Sequence, residues 1–273
     1  MKKTALLIGF HYPSSEHYRS LNSAMIDVYL VHNHCESAGF HTKIMGDFCT
    51  GSYSKTFNHA IINGYVDVDV LDFCGEKESY ITTVHDRSAF KTALQASLVD
   101  VGERLLVYFS GHGDPKGKKM ILPDNSELSW KKWYRRIVAF VPPTTEICFV
   151  LDCCHPPTFD LPYELRENRF RAKKLCEISL APPLVVAFVS SETKESTDTS
   201  DNGSLFTRFL LQRWGMLDRD HHTSIEIASI KTFVDQSIQK MRKKRNTQHM
   251  CVYASQPILS FLQPWIWCME RST

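Results

Sequence analysis

The segment from Arg104 to His155 constrains the fold more than any other stretch of the sequence. It contains two short, continuously apolar runs, residues 105–109 and residues 147–151. Runs of this length, bounded by turn residues, are typical of strands buried on both faces of a parallel sheet. The first run leads into a Ser-Gly-His-Gly sequence around His112, and the second leads into Asp-Cys-Cys-His. Because ligands bind beyond the carboxyl ends of such strands, we expect a histidine and a cysteine to meet at a functional edge.

Strands and helices alternate along most of the chain. Strands are predicted at residues 5–10, 40–45, 105–109, 147–151, 184–189 and 252–254, and helices at residues 21–38, 87–99, 130–140, 205–217 and 223–241. The alternation predicts an α/β protein, a three-layer α/β/α sandwich with a mostly parallel sheet of about six strands. Helix-capping residues support these boundaries: Asp86 and Ser129 precede two of the helices, and Gly39 follows the first.

The composition excludes several classes of function. The 273 residues carry 32 Lys and Arg against 30 Asp and Glu, so the charge favours neither nucleic acid nor a membrane surface as a partner. We found no apolar run approaching the roughly 20 residues needed to span a bilayer. The opening residues 3–9 are apolar over too short a stretch for a signal peptide and are predicted to form the first strand. We therefore expect one soluble domain.

The cysteines indicate a reducing compartment. There are nine, an odd number, with no regular spacing, which is typical of free thiols in the cytosol or nucleus rather than of a disulfide framework. Cytoplasmic localisation is the prediction, with the nucleus as its alternative. The adjacent pair Cys153 and Cys154 lacks the spacing of zinc ligands and no second pair accompanies it, so we predict no metal site.

A histidine and a cysteine at neighbouring strand ends are the components of a thiol peptidase site. The cysteine would attack a scissile carbonyl, while His112 keeps the thiol reactive and supplies a proton to the leaving amine. The backbone N–H groups of Gly113 and Cys154 would form an oxyanion hole, a feature worth ~2.7–4 kcal/mol per donor. Neighbouring strand residues point to opposite faces, so one of Cys153 and Cys154 should be buried; spacing alone leaves both open as the nucleophile.

The Ser-Gly-His-Gly segment around His112 (the histidine box) and the Asp-Cys-Cys-His segment around Cys154 (the cysteine box) resemble motifs of metacaspases, a branch of the caspase-like cysteine peptidases. That family has a Ser-Gly-His-Gly box and an Asp-x-Cys-His box, and its nucleophile is the cysteine two residues after the aspartate, which corresponds to Cys154. Supporting similarities are found at residues 3–9, 21–28, 189–191, 203–207 and 256–257. The resemblance implies a single caspase-like peptidase domain over residues 1–273. Within it, residues 1–157 would be large-subunit-like, residues 158–177 an exposed linker, and residues 178–273 small-subunit-like.

The resemblance also implies a substrate. Metacaspases cleave proteins and peptides after Arg or Lys, and the acidic residues of their primary pocket correspond to Asp27 and Asp152. Ser190 corresponds to a position near the substrate backbone. The physical logic is independent of the family, because a cationic side chain in a partly buried pocket needs carboxylates. The family further implies a monomer.

Two loops refine the prediction. The basic, proline-containing stretch of residues 156–177 is predicted to be an exposed loop and a candidate self-cleavage site. Calcium-dependent metacaspases carry an acid-rich loop soon after the histidine box, whereas residues 114–119 are mainly basic here. Asp114 and Asp124 alone are too few ligands for a hard cation, and the further candidate ligands are Glu192, Glu195, Asp198 and Asp201. We predict no strong calcium site and no cofactor, with calcium dependence as the alternative.

Two other functions stay open at this point. Metacaspases usually have Ser-Gly after the Cys-His pair, but this chain has Pro156 and Pro157, which remove two N–H donors. That departure motivates the alternative of a catalytically silent caspase-like scaffold. A nucleotide-binding doubly wound protein is the other alternative. It is opposed by the sequence, which has no Gly-x-Gly-x-x-Gly or P-loop pattern after a strand.

Overall fold

A computed structural model describes residues 2–47, 81–157, 159–173, 184–191, 199–200, 203–219, 227–241 and 248–256. Five helices lie in these regions of the chain: α1 (Asn22–Ser37), α2 (Arg87–Ser97), α3 (Trp130–Phe140), α4 (Leu205–Arg219) and α5 (Ile227–Met241). The strands are β1 (Lys3–Gly9), β2 (His41–Gly46), β3 (Ile81–Thr83), β4 (Arg104–Gly111), β5 (Lys119–Ile121), β6 (Glu127–Ser129), β7 (Glu146–Cys153), β8 (Tyr163–Arg166), β9 (Arg169–Ala172), β10 (Val185–Val189), β11 (Thr199–Ser200), β12 (Gly203–Ser204) and β13 (Cys251–Ala254).

The central sheet has the order β3-β2-β1-β4-β7-β10-β13-β8-β9. The first six strands run parallel, and β13, β8 and β9 extend the sheet in antiparallel pairing. The predicted mostly parallel α/β sheet is therefore confirmed. Five of the six predicted strands are the parallel strands β1, β2, β4, β7 and β10, and the sixth is the antiparallel strand β13. The strands β3, β8 and β9 lengthen the sheet to nine.

Both faces of the sheet are covered, which explains the continuously apolar strands. Along β4, Leu106 and Tyr108 join the core beneath α1, α4 and α5. Leu105, Val107 and Phe109 alternate with them and join the opposite core, beneath α2 and α3. Successive residues of a strand point to opposite faces, so a strand with helices on both sides must be apolar throughout. The three-layer prediction is thereby confirmed.

Local capping sets the helix boundaries as predicted. The Asp86 carboxylate accepts the backbone N–H groups of Ser88 and Ala89 at 2.7 and 2.8 Å, which satisfies two donors at the start of α2. Gly39 follows α1 with a φ of 75°, a left-handed conformation that favours glycine. The capping box predicted at residues 223–226 lies outside the described residues.

The predicted loop after Cys154 contains a β-hairpin instead. Strands β8 and β9 pair antiparallel, with Leu165 opposite Phe170, and β8 also pairs with β13. Glu167 and Asn168 form the two-residue turn, and both have positive φ (47° and 64°), as a type I′ hairpin turn requires. The expectation of an irregular loop was wrong here because the charged residues around the turn obscure its apolar pairs. The linker predicted at residues 158–177, between the large-subunit-like and small-subunit-like parts, stays a prediction, since residues 158 and 174–177 lie outside the described regions.

No helix in the described regions of the chain is both long enough and apolar enough to cross a membrane.

Candidate active site

The sheet brings the histidine and cysteine boxes to one edge. Strands β4 and β7 are neighbours in parallel register, with Gly111 opposite Cys153. His112 and Cys154 are therefore the first residues beyond the paired strand ends. This is the carboxyl edge of the sheet, where ligands bind in open α/β folds.

The two cysteines differ in access to solvent. Cys153 is 1% exposed and packs in the core on the α3 side of the sheet. Burial raises the pKa of its thiol well above the ordinary value, which disfavours the thiolate. Cys154, the residue singled out by the family resemblance, is partly exposed. Since a nucleophile must be reachable by substrate, the geometry favours Cys154 over its neighbour.

The His112 ring is held from three sides. Its Nε2 atom lies 2.7 Å from the backbone carbonyl oxygen of Arg19, and its ring centroid is 4.7 Å from that of Tyr12 and 5.3 Å from that of Tyr18. A carbonyl oxygen only accepts hydrogen bonds, so Nε2 carries the proton and Nδ1 of the neutral ring is left as the basic nitrogen. Burial lowers the pKa of His112, partly offset by the Arg19 carbonyl, which favours the neutral ring near pH 7.

Tyr12 fixes the backbone of His112. Its hydroxyl accepts the His112 N–H at 2.8 Å and donates to the carbonyl oxygen of Ile121 at 2.9 Å. Tyr12 itself has a φ of 56°, unusual for a residue with a side chain. The buried Asp47 carboxylate holds it there by accepting the N–H groups of His11 and Tyr12, each at 2.7 Å. Sequence reasoning missed these supporting residues, whose only signal is a position just after β1 and β2.

Close packing against the backbone of Cys154 requires a glycine at position 113. A Cβ atom on Gly113 would lie 2.3 Å from the Cys154 carbonyl oxygen, closer than any real contact. One hydrogen bond lies on each side of Gly113. The Ile121 N–H donates to the His112 carbonyl oxygen, and the Asp114 N–H donates to the Lys119 carbonyl oxygen. This short ladder does not use the Gly113 N–H, the donor predicted for the oxyanion hole.

The predicted pocket carboxylates lie together behind this edge. Asp27 comes from α1 and Asp152 from the end of β7, and they are 0% and 3% exposed. Ser204 bridges them, since its N–H donates to Asp27 Oδ1 at 2.8 Å and its hydroxyl donates to Asp152 Oδ2. The Thr207 hydroxyl donates to the same Asp152 oxygen at 2.6 Å, and the Ser110 hydroxyl donates to Asp27 Oδ2 at 3.2 Å. Only the two aspartates were predicted from sequence.

Burial disfavours the charged forms of both carboxyls, and the neighbouring Asp152 further disfavours that of Asp27. Burial raises the pKa of Asp152 to about 6, against the hydrogen bonds from Ser204 and Thr207. Burial raises the pKa of Asp27 well above its ordinary value, and the neighbouring Asp152 raises it further. Asp152 Oδ1 is buried and has no hydrogen-bond partner in the described regions of the chain. An unsatisfied oxygen on a crowded carboxylate pair is suited to receive a cationic donor.

Ser190 holds the end of β7, directly before Cys154. It is fully buried, and its hydroxyl bonds the N–H and the carbonyl oxygen of Cys153 at 3.2 and 3.1 Å. The Gln248 side chain donates to the Ser190 carbonyl oxygen at 2.9 Å. These contacts link β10 to β7 immediately behind Cys154. A contact of Ser190 with the substrate backbone stays a prediction.

The acidic residues after the histidine box brace turns. Asp114 Oδ1 accepts the N–H groups of Lys118 and Lys119 at 2.7 and 2.6 Å, and Asp124 Oδ1 accepts the N–H and the hydroxyl of Ser126. Among the described residues, no three His, Cys, Asp or Glu side chains are grouped to hold a metal ion. Acidic residues at positions 192, 195, 198 and 201 lie outside the described residues, so the calcium expectation stays a prediction.

Comparison with known proteins agrees with this architecture. The caspase-domain family model matches residues 2–261. Among solved structures, the protein GSU0716 from Geobacter sulfurreducens is similar at a TM-score of 0.61 and 13% identity, covering 98% of this chain and 99% of its own. Caspase-1 from Spodoptera frugiperda is similar at a TM-score of 0.56 and 12% identity, covering 92% of this chain and 85% of its own. No curated protein matched the sequence. The chain belongs to the caspase-domain family of cysteine peptidases.

Proposed function

We propose that the protein is an endopeptidase that cleaves peptide bonds after Arg or Lys, with Cys154 as the nucleophile and His112 as its base. The observation that carries the specificity is the buried pair of carboxylates, Asp27 and Asp152, the second of which lies two residues before the nucleophile. Asp152 Oδ1 is buried without a partner among the described residues. A cationic side chain of the substrate would satisfy that oxygen and relieve the repulsion between the two carboxylates.

The chemistry follows from the state of the His112 ring. With Nε2–H donating to Arg19, the Nδ1 nitrogen takes the proton of the Cys154 thiol, and the thiolate attacks the carbonyl carbon. The N–H groups of Gly113 and Cys154 stabilise the resulting oxyanion. The protonated ring then gives its proton to the leaving amine, which leaves a thioester. Water hydrolyses the thioester, with His112 accepting the proton of the water and returning a proton to the thiolate.

Self-processing belongs to the same proposal. The turn of the β8–β9 hairpin is exposed and is flanked by Arg166 and Arg169. Exposed turn tips are preferred sites of cleavage, so the bond after Arg166 is the candidate within residues 158–177. Incubation of the purified protein should give a fragment that begins at Glu167, and neither Cys154→Ala nor Arg166→Gln should give it. Processing elsewhere in the chain would contradict this assignment.

We further propose a monomer in a reducing compartment, the cytosol or nucleus. The β8–β9 hairpin covers the edge of β13, and the outer strand β9 carries Arg169 and Arg171, charges that discourage further strand pairing. Cys35, Cys148, Cys153, Cys154 and Cys251 are reduced cysteines.

A catalytically silent scaffold is the second candidate. Pro156 and Pro157 follow the Cys-His pair directly and are buried, and neither has an N–H group to offer a substrate. In that case the protein would bind partners through the same edge without turning over any peptide.

A peptide library varied at the residue before the cleaved bond separates these candidates. Wild type and Cys154→Ala would be assayed with and without calcium. We expect wild type to hydrolyse Arg and Lys peptides, Cys154→Ala to hydrolyse none, and calcium to have little effect. Absence of turnover by wild type would favour the scaffold, and a preference for Asp would contradict the role of the carboxylate pair.

A further inference from the structure

The loop of residues 12–20 lies against the candidate catalytic histidine. Two of its residues contact the His112 ring, Tyr18 through its own ring and Arg19 through its carbonyl oxygen. Most residues of this loop are exposed, so burial in the core does not fix its course. The orientation of the His112 ring therefore depends on the hydrogen bonds that hold the loop.

The Ser15 side chain supplies hydrogen bonds that shape this loop. Its hydroxyl oxygen accepts the N–H groups of His17 at 3.2 Å and of Tyr18 at 2.9 Å. The Ser15 N–H donates to the Tyr12 carbonyl oxygen at 3.3 Å. Serine hydroxyls commonly stabilise turns by bonding nearby backbone groups in this way. These bonds set the direction of the backbone immediately before Arg19.

The hydroxyl proton of Ser15 connects the loop to a distant turn. The hydroxyl donates to Asn125 Oδ1 at 2.6 Å, across 110 positions of the sequence. Asn125 lies in the turn between β5 and β6 and has a φ of 63°, a left-handed conformation that asparagine tolerates. The Leu122 N–H closes this turn by donating to the Ser126 carbonyl oxygen at 2.9 Å. A turn closed in this way gives the loop an anchor.

The same β5–β6 hairpin also holds the backbone of His112. The Ile121 N–H donates to the His112 carbonyl oxygen at 3.0 Å, and the Ile121 carbonyl oxygen accepts the Tyr12 hydroxyl at 2.9 Å. The hairpin therefore supports the histidine by two routes. One route leads to its backbone, and the other leads through Ser15 and the loop to its ring.

We propose that Ser15 and Asn125 are positioning residues for His112. They hold the Tyr18 ring and the Arg19 carbonyl oxygen in contact with the imidazole, and they act through the loop rather than on the substrate. The Arg19 carbonyl accepts the proton of Nε2, which leaves Nδ1 as the basic nitrogen. The consequence for catalysis rests on the proposed peptidase function, whereas the effect on the state of the ring does not.

Nitrogen NMR of the isotope-labelled full-length protein tests the effect on the ring without any substrate. The signal is assigned by its loss in His112→Gln, and we expect the wild-type ring to carry its proton on Nε2. Ser15→Ala should populate both tautomers and lower the pKa of His112, because the bond to the Arg19 carbonyl raises that pKa. Ser14→Ala, a change of the exposed neighbouring serine, is the matched control and should alter neither.

Kinetics on an Arg peptide test the link to catalysis. Ser15→Ala should lower kcat several-fold with KM unchanged, because a misoriented base slows the chemical step rather than binding. Asn125→Gly keeps a residue suited to positive φ but removes the acceptor, and should cause the same loss. The double variant should be no worse than either single one, since both changes break one contact. Ser15→Thr and Asn125→Asp retain the donor and the acceptor and should keep kcat close to that of wild type.

Several outcomes would overturn the proposal. They are an unchanged tautomer and pKa of His112 in both Ser15→Ala and Asn125→Gly, losses in kcat that add in full in the double variant, and an increase in KM with kcat intact. If wild type cleaves no peptide, the proposed function fails, and the NMR result alone decides whether these residues position the ring. A circular dichroism melt shows whether each variant is folded, and Asn125→Gly provides the test if Ser15→Ala is not.

Discussion

His112 is partly buried and the carboxylates of Asp27 and Asp152 are fully buried at the same edge of the sheet, and these groups differ in their hydrogen bonding. Burial favours the neutral form of each, so it lowers the pKa of the histidine and raises the pKa of both aspartates. The histidine needs no further partner, because the Arg19 carbonyl and two tyrosine rings hold the ring in place and burial favours its neutral form. The carboxylate pair retains an unsatisfied oxygen and repulsion between its members. In the function proposed above, the protein itself completes the catalytic part of the site, and a cation of the substrate completes the specificity pocket.

The largest predicted effect separates the two cysteines. Cys154→Ala should reduce kcat/KM by at least about 10⁴-fold, as loss of a catalytic nucleophile does in other peptidases. Cys153→Ala removes only a buried sulfur and should lower the free energy of unfolding by about 1 kcal/mol, with activity within a few-fold of wild type. Initial rates on an Arg peptide measure both. Full activity in Cys154→Ala would contradict the assignment of the nucleophile.

Neutralising one carboxylate should have the next largest effect. Asp152→Asn keeps the size of the side chain but removes its charge, and should reduce kcat/KM for Arg peptides by about 10²-fold or more. The same change should stabilise the fold at pH 7.5 by about 1–3 kcal/mol, because ionising the buried carboxyl opposes folding.

The stabilisation should depend on pH in a fixed direction. The folded-state pKa of about 6 lies above the unfolded value of about 3.9, so the neutral carboxyl supports the fold below pH 4. That contribution is lost as pH rises through about 6. Urea unfolding at pH 4 and pH 7.5 should therefore show a gain for Asp152→Asn only at the higher pH. The exposed Asp100→Asn is the control, and a gain of equal size at both pH values would show that the carboxyl is not responsible.

A smaller effect is expected from pH alone. Protonation of the pocket below about pH 6 weakens its attraction for a cation, so the ratio of kcat/KM for an Arg peptide to that for its neutral citrulline analogue should fall about tenfold between pH 7.5 and pH 5. Protonation of His112 affects both substrates alike and cancels in the ratio. A ratio that is constant across this pH range would show that the two carboxylates do not determine the preference for Arg.

The smallest effect tests the support of the histidine. Tyr12→Phe leaves the N–H of His112 and the carbonyl of Ile121 without their shared hydroxyl. We expect kcat to fall several-fold with KM unchanged, and the free energy of unfolding to fall by about 1–3 kcal/mol. Tyr18→Phe retains the ring that contacts His112 and is the matched control. A change in KM with kcat intact would place Tyr12 in substrate binding instead.

Sequence reasoning reached the sheet and the reactive residues because their signals are local. Apolar runs identify strands buried on both faces, and Asp86 and Ser129 mark helix starts. The residues that hold the site residues in place contact them from distant positions in the sequence, and no local sequence pattern indicates such contacts. Arg19 contacts His112 across 93 residues and Ser204 contacts Asp27 across 177. The β8–β9 hairpin was missed for another reason, because its turn is Glu-Asn flanked by arginines rather than one of the Gly-containing turns that identify hairpins.

The central claim, that Cys154 attacks peptides presented by a cation-binding pocket, is tested most directly by covalent labelling. Wild-type protein would be treated with two matched peptide acyloxymethyl ketones, one ending in Arg and one in Asp, and the modified residue identified by tandem mass spectrometry. We predict labelling of Cys154 by the Arg reagent, far faster than by the Asp reagent. Labelling of Cys153, faster reaction of the Asp reagent, or no labelling of Cys154 would contradict the account.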